Sequence, residues 1–257
     1  MQNRSLGMVA CAAALAFAGL ALARQEKTGQ TAKYSSGAKN FTKDPDISGI
    51  WTEHPSASQR AFAVYSFLDA KDLAPLMTPW AQARFKENKP GYGPDAVLKG
   101  DNDPTVACYP PGTPRVYLHL FPMEIIQLPG LTLELFEYDH FVRRIYTDGR
   151  PHPADLEPTW MGHAIGHWEG DTFVVDTVGM NDRTWVDRDG HPHSDKMHVI
   201  ERIRRLGQDT LQVGITVEDP IAYTKPFRGA VTYQFRPDWD INEHICMDNT
   251  NDTDLQK

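Results

Sequence analysis

The chain has 257 residues, 40% hydrophobic and 23% charged, with a formal net charge of −8. An acidic balance without a basic face excludes nucleic acid and a polybasic membrane surface as partners. The length suits one large β-domain or two small ones.

Residues 1–23 read as a secretory signal peptide. Arg4 supplies the positive start, Met8 to Leu22 is almost wholly apolar, and Ala21-Leu22-Ala23 is a small-residue cleavage site. The apolar run is short for a membrane span, so no stable membrane insertion is expected after cleavage, and the compartment is periplasmic or secreted. Of the three cysteines, Cys11 leaves with the leader. Cys108 and Cys246 then form an exported pair, expected as a disulfide, with two buried free thiols as the alternative.

Residues 24–45 read as a flexible lead-in and 46–257 as one domain. "DPDISGIWTEH" enters a short strand near Ile50-Trp51. Within an excursion at about 66–115, residues 66–89 carry a helical signal: Thr78 can cap, Pro79 suits the first helical position, and Pro90 stops the run. Residues 90–115, rich in Gly and Pro, form a long irregular connection. Such loops are usually functional or pinned, and Cys108 would pin this one.

From residue 116 the chain reads as strands: "VYLHLF", "MEIIQL", "LTLELFEYDHFVRRIYT", "MGHAIGHW", "TFVVDTV", "KMHVIERIRRL", "TLQVGITV" and "GAVTYQFR". "HWEGDTFVV" and "RLGQDTLQV" each place a Gly-containing turn before an apolar alternation, and "LPGLTLEL" is a looser copy. These are hairpin signals. The fold class is therefore mainly β: a single antiparallel β-barrel, with a sandwich as alternative, carrying a short helical and irregular insertion.

His163 and His167 would share a helix face, but Gly162, Gly166 and the Glu169-Gly170-Asp171 turn favour a strand. Four strand residues span roughly 13 Å, too far for one ion. No metal site and no cofactor are expected. Alternation gives the more useful signal. Glu201 is the lone charge on the face Met197, Val199, Glu201, Ile203. Arg143 is the lone charge on the face Phe141, Arg143, Ile145, Thr147. Burying either bare is costly, so they are expected to pair, either as a structural plug or as part of a site. The polar loop 181–195 holds His193, a solvated histidine or a general acid–base group at the barrel mouth. Ser194 beside it lacks the strand–turn–helix elbow of a nucleophilic serine.

Gly49-Ile50-Trp51 resembles the G-x-W opening of lipocalins and their relatives, and Thr147-Asp148-Gly149 resembles their second motif. Residues 75–250 resemble a group of exported bacterial proteins sharing "TDGR", "WEGDT", "TW", "PHS", "ER" and "IC". The second resemblance carries no activity. The first implies a barrel with an apolar cavity for a small hydrophobic or aromatic molecule. Two functions then compete. One is a cofactor-free acid–base enzyme (lyase, isomerase or cyclase), using His163 or His193 as acid or base, Glu201 as carboxylate and Arg143 against developing negative charge. The other is a non-catalytic periplasmic binding protein. Phe141, Tyr146, Trp160, Trp168 and Trp185 are the expected ligand-facing aromatics in either case. A scaffold without a pocket is the third class, favoured if side chains fill the barrel.

Overall fold

Nine strands close into a barrel in chain order, in a computed structural model that describes residues 41–53, 70–91, 97 and 99–249. The expected signal peptide, and residues 24–40 of the expected lead-in, lie outside the described residues. The strands are β1 (Gly49–Glu53), β2 (Met123–Leu128), β3 (Leu131–Phe136), β4 (Val142–Tyr146), β5 (His163–Glu169), β6 (Thr172–Val178), β7 (His198–Arg205), β8 (Thr210–Glu218) and β9 (Phe227–Phe235). Neighbours pair antiparallel, and β1 closes the barrel against β9.

The exception is β4–β5, which is parallel, with Ile145 opposite Ala164 and Tyr146 opposite Ile165. An all-antiparallel barrel was expected. The chain between these strands, residues 147–162, is long enough for a crossover, which parallel pairing requires. Elsewhere the short turns act as their sequences predict. Pro129-Gly130 joins β2 to β3, with Gly130 at φ 76°, as a type II turn demands. Gly170-Asp171 joins β5 to β6, with Gly170 at φ 64°.

The capped helix forms as read, over Pro79–Glu87, and Thr78 Oγ1 accepts from the Ala81 N–H at 3.3 Å. "VYLHLF" does not form a strand. Residues Arg115–Leu118 make a buried 3₁₀ turn instead. Prolines at 110, 111 and 114 remove ladder donors, and the turn delivers Tyr117 into the interior. "LTLELFEYDHFVRRIYT" is split into β3 and β4 by a tight turn in which Asp139 and His140 adopt positive φ.

Trp51, Tyr117, Ile125, Ile145, Phe173, Ile203, Val213 and Tyr233 are buried in a single apolar cluster. Small residues on β5 permit this density: a Cβ at Gly166 would meet the Phe173 ring at 2.6 Å and Ile145 at 2.9 Å. Cys108 and Cys246 are joined by a disulfide, Cα–Cα 5.6 Å, which ties the irregular 100–115 segment to the C-terminal turn.

Candidate functional site

Arg143 and Glu201 meet inside the barrel. β4 and β7 both alternate inward at these positions, leaving Arg143 2% and Glu201 0% exposed. Arg143 Nη2 lies 2.8 Å from one Glu201 oxygen and donates to the other at 2.9 Å. The same nitrogen donates to Thr177 Oγ1 at 2.6 Å. Arg143 Nη1 donates to Tyr117 Oη at 2.6 Å and to Glu134 at 3.1 Å. Tyr117 in turn donates to Glu134, and Tyr233 donates to the Tyr117 carbonyl at 2.6 Å.

One guanidinium therefore serves two buried carboxylates. Burial pushes the Glu201 carboxyl up to about 7, against the opposing pull of Arg143. A proton on Glu201 lessens the negative charge that Arg143 must offset in the low-dielectric interior, where an uncompensated charge is costly. The pairing expected from alternation is present, but the pair points into packed side chains. None of these six residues lines the surface cavities of about 620, 550 and 400 Å³.

The other acid–base residues lie elsewhere. His193 is not solvated: it is 1% exposed, its Nδ1 lies 3.1 Å from the Ser194 carbonyl, and burial lowers its pKa. Ser194 Oγ donates to Asp219 at 2.8 Å and so forms no relay with His193. The loop is buried because it folds inward on Asp187. That carboxylate accepts the backbone N–H groups of Asp189 and His191 and reaches His191 Nδ1 at 2.6 Å. Asp187, Asp189 and His191 bring ligand atoms within 4.8 Å of one another, but all three are buried and these contacts knit the loop to itself. Phe85 of the helix stacks on His191 at 4.8 Å and holds the loop down.

His163 lies on the outer wall, on a different surface from Arg143. Its Nδ1 is 2.8 Å from His152 Nδ1, and Tyr146 stacks on its ring at 5.3 Å. Partial burial, then His152 and Arg150, lower its pKa.

The aromatics are similarly dispersed. Phe141 packs against the core, and Trp185 is buried beneath Arg115, which is locked to Asp103 by two hydrogen bonds of 2.9 and 2.5 Å. Trp168 packs on Phe173 and borders the 550 Å³ groove. Trp160 lines the cavity of about 620 Å³ with Tyr109, Arg183 and Asp101, Asn102, Asp103, Pro104, Val106 and Ala107 of the irregular segment. Tyr109, 53% exposed, stacks on Trp160 at 5.3 Å, and the Arg183 guanidinium stands 6.0 Å from the Trp160 ring. Among the described residues no carboxylate pairs with Arg183. The disulfide at Cys108 fixes the backbone directly before Tyr109.

Reasoning from alternation missed Glu134, Tyr117 and Tyr109. Glu134 is the lone charge between Thr132 and Phe136, but Leu131, Leu133 and Leu135 make the opposite face of β3 look like the core. Tyr117 and Tyr109 sit on irregular backbone, where no period marks a side chain's direction. No family model, curated protein or solved structure matches the chain.

Proposed function

We propose that the protein is exported and binds a small aromatic molecule carrying an anionic group, in the cavity walled by Tyr109 and Trp160. The supporting observation is an exposed aromatic stack beside an arginine without a carboxylate partner among the described residues, on a segment anchored by a disulfide. A ring laid on this wall gains roughly 0.5–1.5 kcal/mol for an aromatic contact beyond its area burial. A charge-assisted hydrogen bond from Arg183 adds about 1.5–3 kcal/mol. Export accords with the leader features of residues 1–23 and with the formed disulfide.

This reading moves the ligand from the barrel interior to its outside. The interior is occupied by Tyr117, Phe173, Tyr233 and aliphatic side chains, and neither His163 nor His193 joins the Arg143–Glu201 pair. The binding-protein reading is therefore preferred over a lyase or isomerase.

Calorimetric titration with benzoate and with benzyl alcohol tests the proposal. Benzoate should bind at about 1 mM or tighter, which needs only about 4 kcal/mol. Benzyl alcohol should bind more weakly, and Trp160→Ala and Arg183→Ala should each abolish the difference. Equal binding of both probes by the parent and Arg183→Ala would reject the anionic requirement. Unchanged benzoate affinity in Trp160→Ala would reject the site.

A further inference from the structure

Most polar groups of the Tyr109–Trp160 cavity are already committed within the chain. Asp103 accepts from Arg115 on both oxygens and from the Thr105 hydroxyl. Asn102 uses both ends of its amide: Oδ1 accepts from the Lys89 N–H at 2.6 Å, and Nδ2 donates to the Glu87 carbonyl at 2.9 Å. The Val106 and Tyr109 N–H groups donate to the Asp103 and Pro104 carbonyls. Two charged side chains of the wall remain, Asp101 and Arg183. Among the described residues neither has an ion-pair partner, and they do not pair with each other.

Asp101 sits on supported backbone. Its neighbour Asn102 clamps the chain to the end of the helix, and Asp103 after it is locked to Arg115. Gly91 lies against the carboxyl: a Cβ there would meet Asp101 Cγ and Val106 Cγ2 at 3.2 Å each. The absent side chain makes room for two groups of the cavity wall. Groups fixed before binding lose little freedom when a ligand arrives.

We infer that the ligand of this cavity is an aromatic zwitterion, with a ring, a carboxylate and a protonated amine, as in a free aromatic amino acid. The ring lies on Tyr109 and Trp160, the carboxylate meets Arg183, and the ammonium meets Asp101. This rests on the aromatic-anion reading above and adds the cationic group. An acid without an amine would bring its negative charge into a cavity that already holds the Asp101 carboxylate, and like charges placed together are costly. An ammonium on the same ligand turns that repulsion into attraction. The planar guanidinium fork suits a carboxylate, while a compact ammonium with three donors suits a single carboxylate such as Asp101. The aromatic wall favours the cation too, through the negative faces of its rings. The volume of about 620 Å³ lies within the roughly 300–1,000 Å³ of small-molecule sites.

The test is calorimetric titration of the full chain with free L-phenylalanine, hydrocinnamate and phenethylamine, which share a ring and differ in charge. The parent should bind phenylalanine at least about 10-fold more tightly than either singly charged probe, the worth of one charge-assisted hydrogen bond. Asp101→Asn should erase the advantage of phenylalanine over hydrocinnamate and leave hydrocinnamate bound as well as before or better. Arg183→Gln should weaken phenylalanine and hydrocinnamate by at least about 10-fold but spare phenethylamine. Phenylalanine bound no more tightly than hydrocinnamate by the parent, or equally by parent and Asp101→Asn, would overturn the zwitterion and leave the aromatic-anion reading standing. Hydrocinnamate that fails to bind the parent, or binds Trp160→Ala equally well, would overturn that reading and the inference with it.

Discussion

Replacing Glu201 with glutamine should raise stability by about 1 kcal/mol at pH 5 and by about 3 kcal/mol at pH 8. The folded carboxyl titrates at about 7 because of burial, against 4.5 for an ordinary glutamate. The native state therefore binds this proton more tightly than the unfolded chain does. That contribution to stability is fully present below the unfolded value, is lost as pH rises through about 7, and is flat above. With one unit worth about 1.36 kcal/mol, the loss between pH 5 and pH 8 is roughly 2.5 kcal/mol. Glutamine copies the neutral acid, so the variant should lack this slope and exceed the parent by about 3 kcal/mol at pH 8. Some decline should persist in both proteins, because burial also raises Glu53, to about 8, against Arg188. Urea midpoints of disulfide-intact parent and Glu201→Gln at pH 5 and pH 8 provide the comparison. Parallel pH dependence in the two proteins would refute the idea that Glu201 holds a proton in the Arg143 cluster.

Arg143→Met should cost about 3–5 kcal/mol, because two buried carboxylates lose their shared partner. Since Glu134 is the third member, adding Glu201→Gln alone should give partial relief, and Glu134→Gln/Arg143→Met/Glu201→Gln most of it. A triple variant no more stable than Arg143→Met would contradict the charge count. Gly166→Val should destabilise by about 1–3 kcal/mol, since its side chain collides with Phe173 and Ile145; an unchanged melting temperature would show that the wall yields there. Reducing Cys108–Cys246, a crosslink spanning 138 residues, should cost up to about 5 kcal/mol in denaturant midpoint measurements, and an unchanged midpoint would mean the bridge constrains little.

Alternation exposed the buried charges on β4 and β7 because their neighbours are apolar on the same face. It failed on β3. There Thr132, Glu134 and Phe136 turn inward, while Leu131, Leu133 and Leu135 stay partly exposed. The leucines make the wrong face look like the core. The inward preference of Glu134 comes from Tyr117 and Arg143, which are distant in sequence. The hairpins were legible because Pro129-Gly130 and Gly170-Asp171 are local turn chemistry. The parallel β4–β5 pairing was not, since nothing local in residues 147–162 says where the chain returns. His193 looked like a surface group because the loop around it is polar. Its burial follows from Asp187 and Asp219 satisfying loop N–H groups internally.

The most direct test of the aromatic-ligand account is native mass spectrometry of the protein recovered from an oxidising compartment, beside Tyr109→Ala/Trp160→Ala prepared identically. The account predicts that the parent carries a small aromatic acid, released on denaturation, and that the variant arrives without it while keeping its disulfide and fold. A parent without any such adduct, or a variant that retains the same molecule, would contradict the assignment of the Tyr109–Trp160 cavity as the binding site.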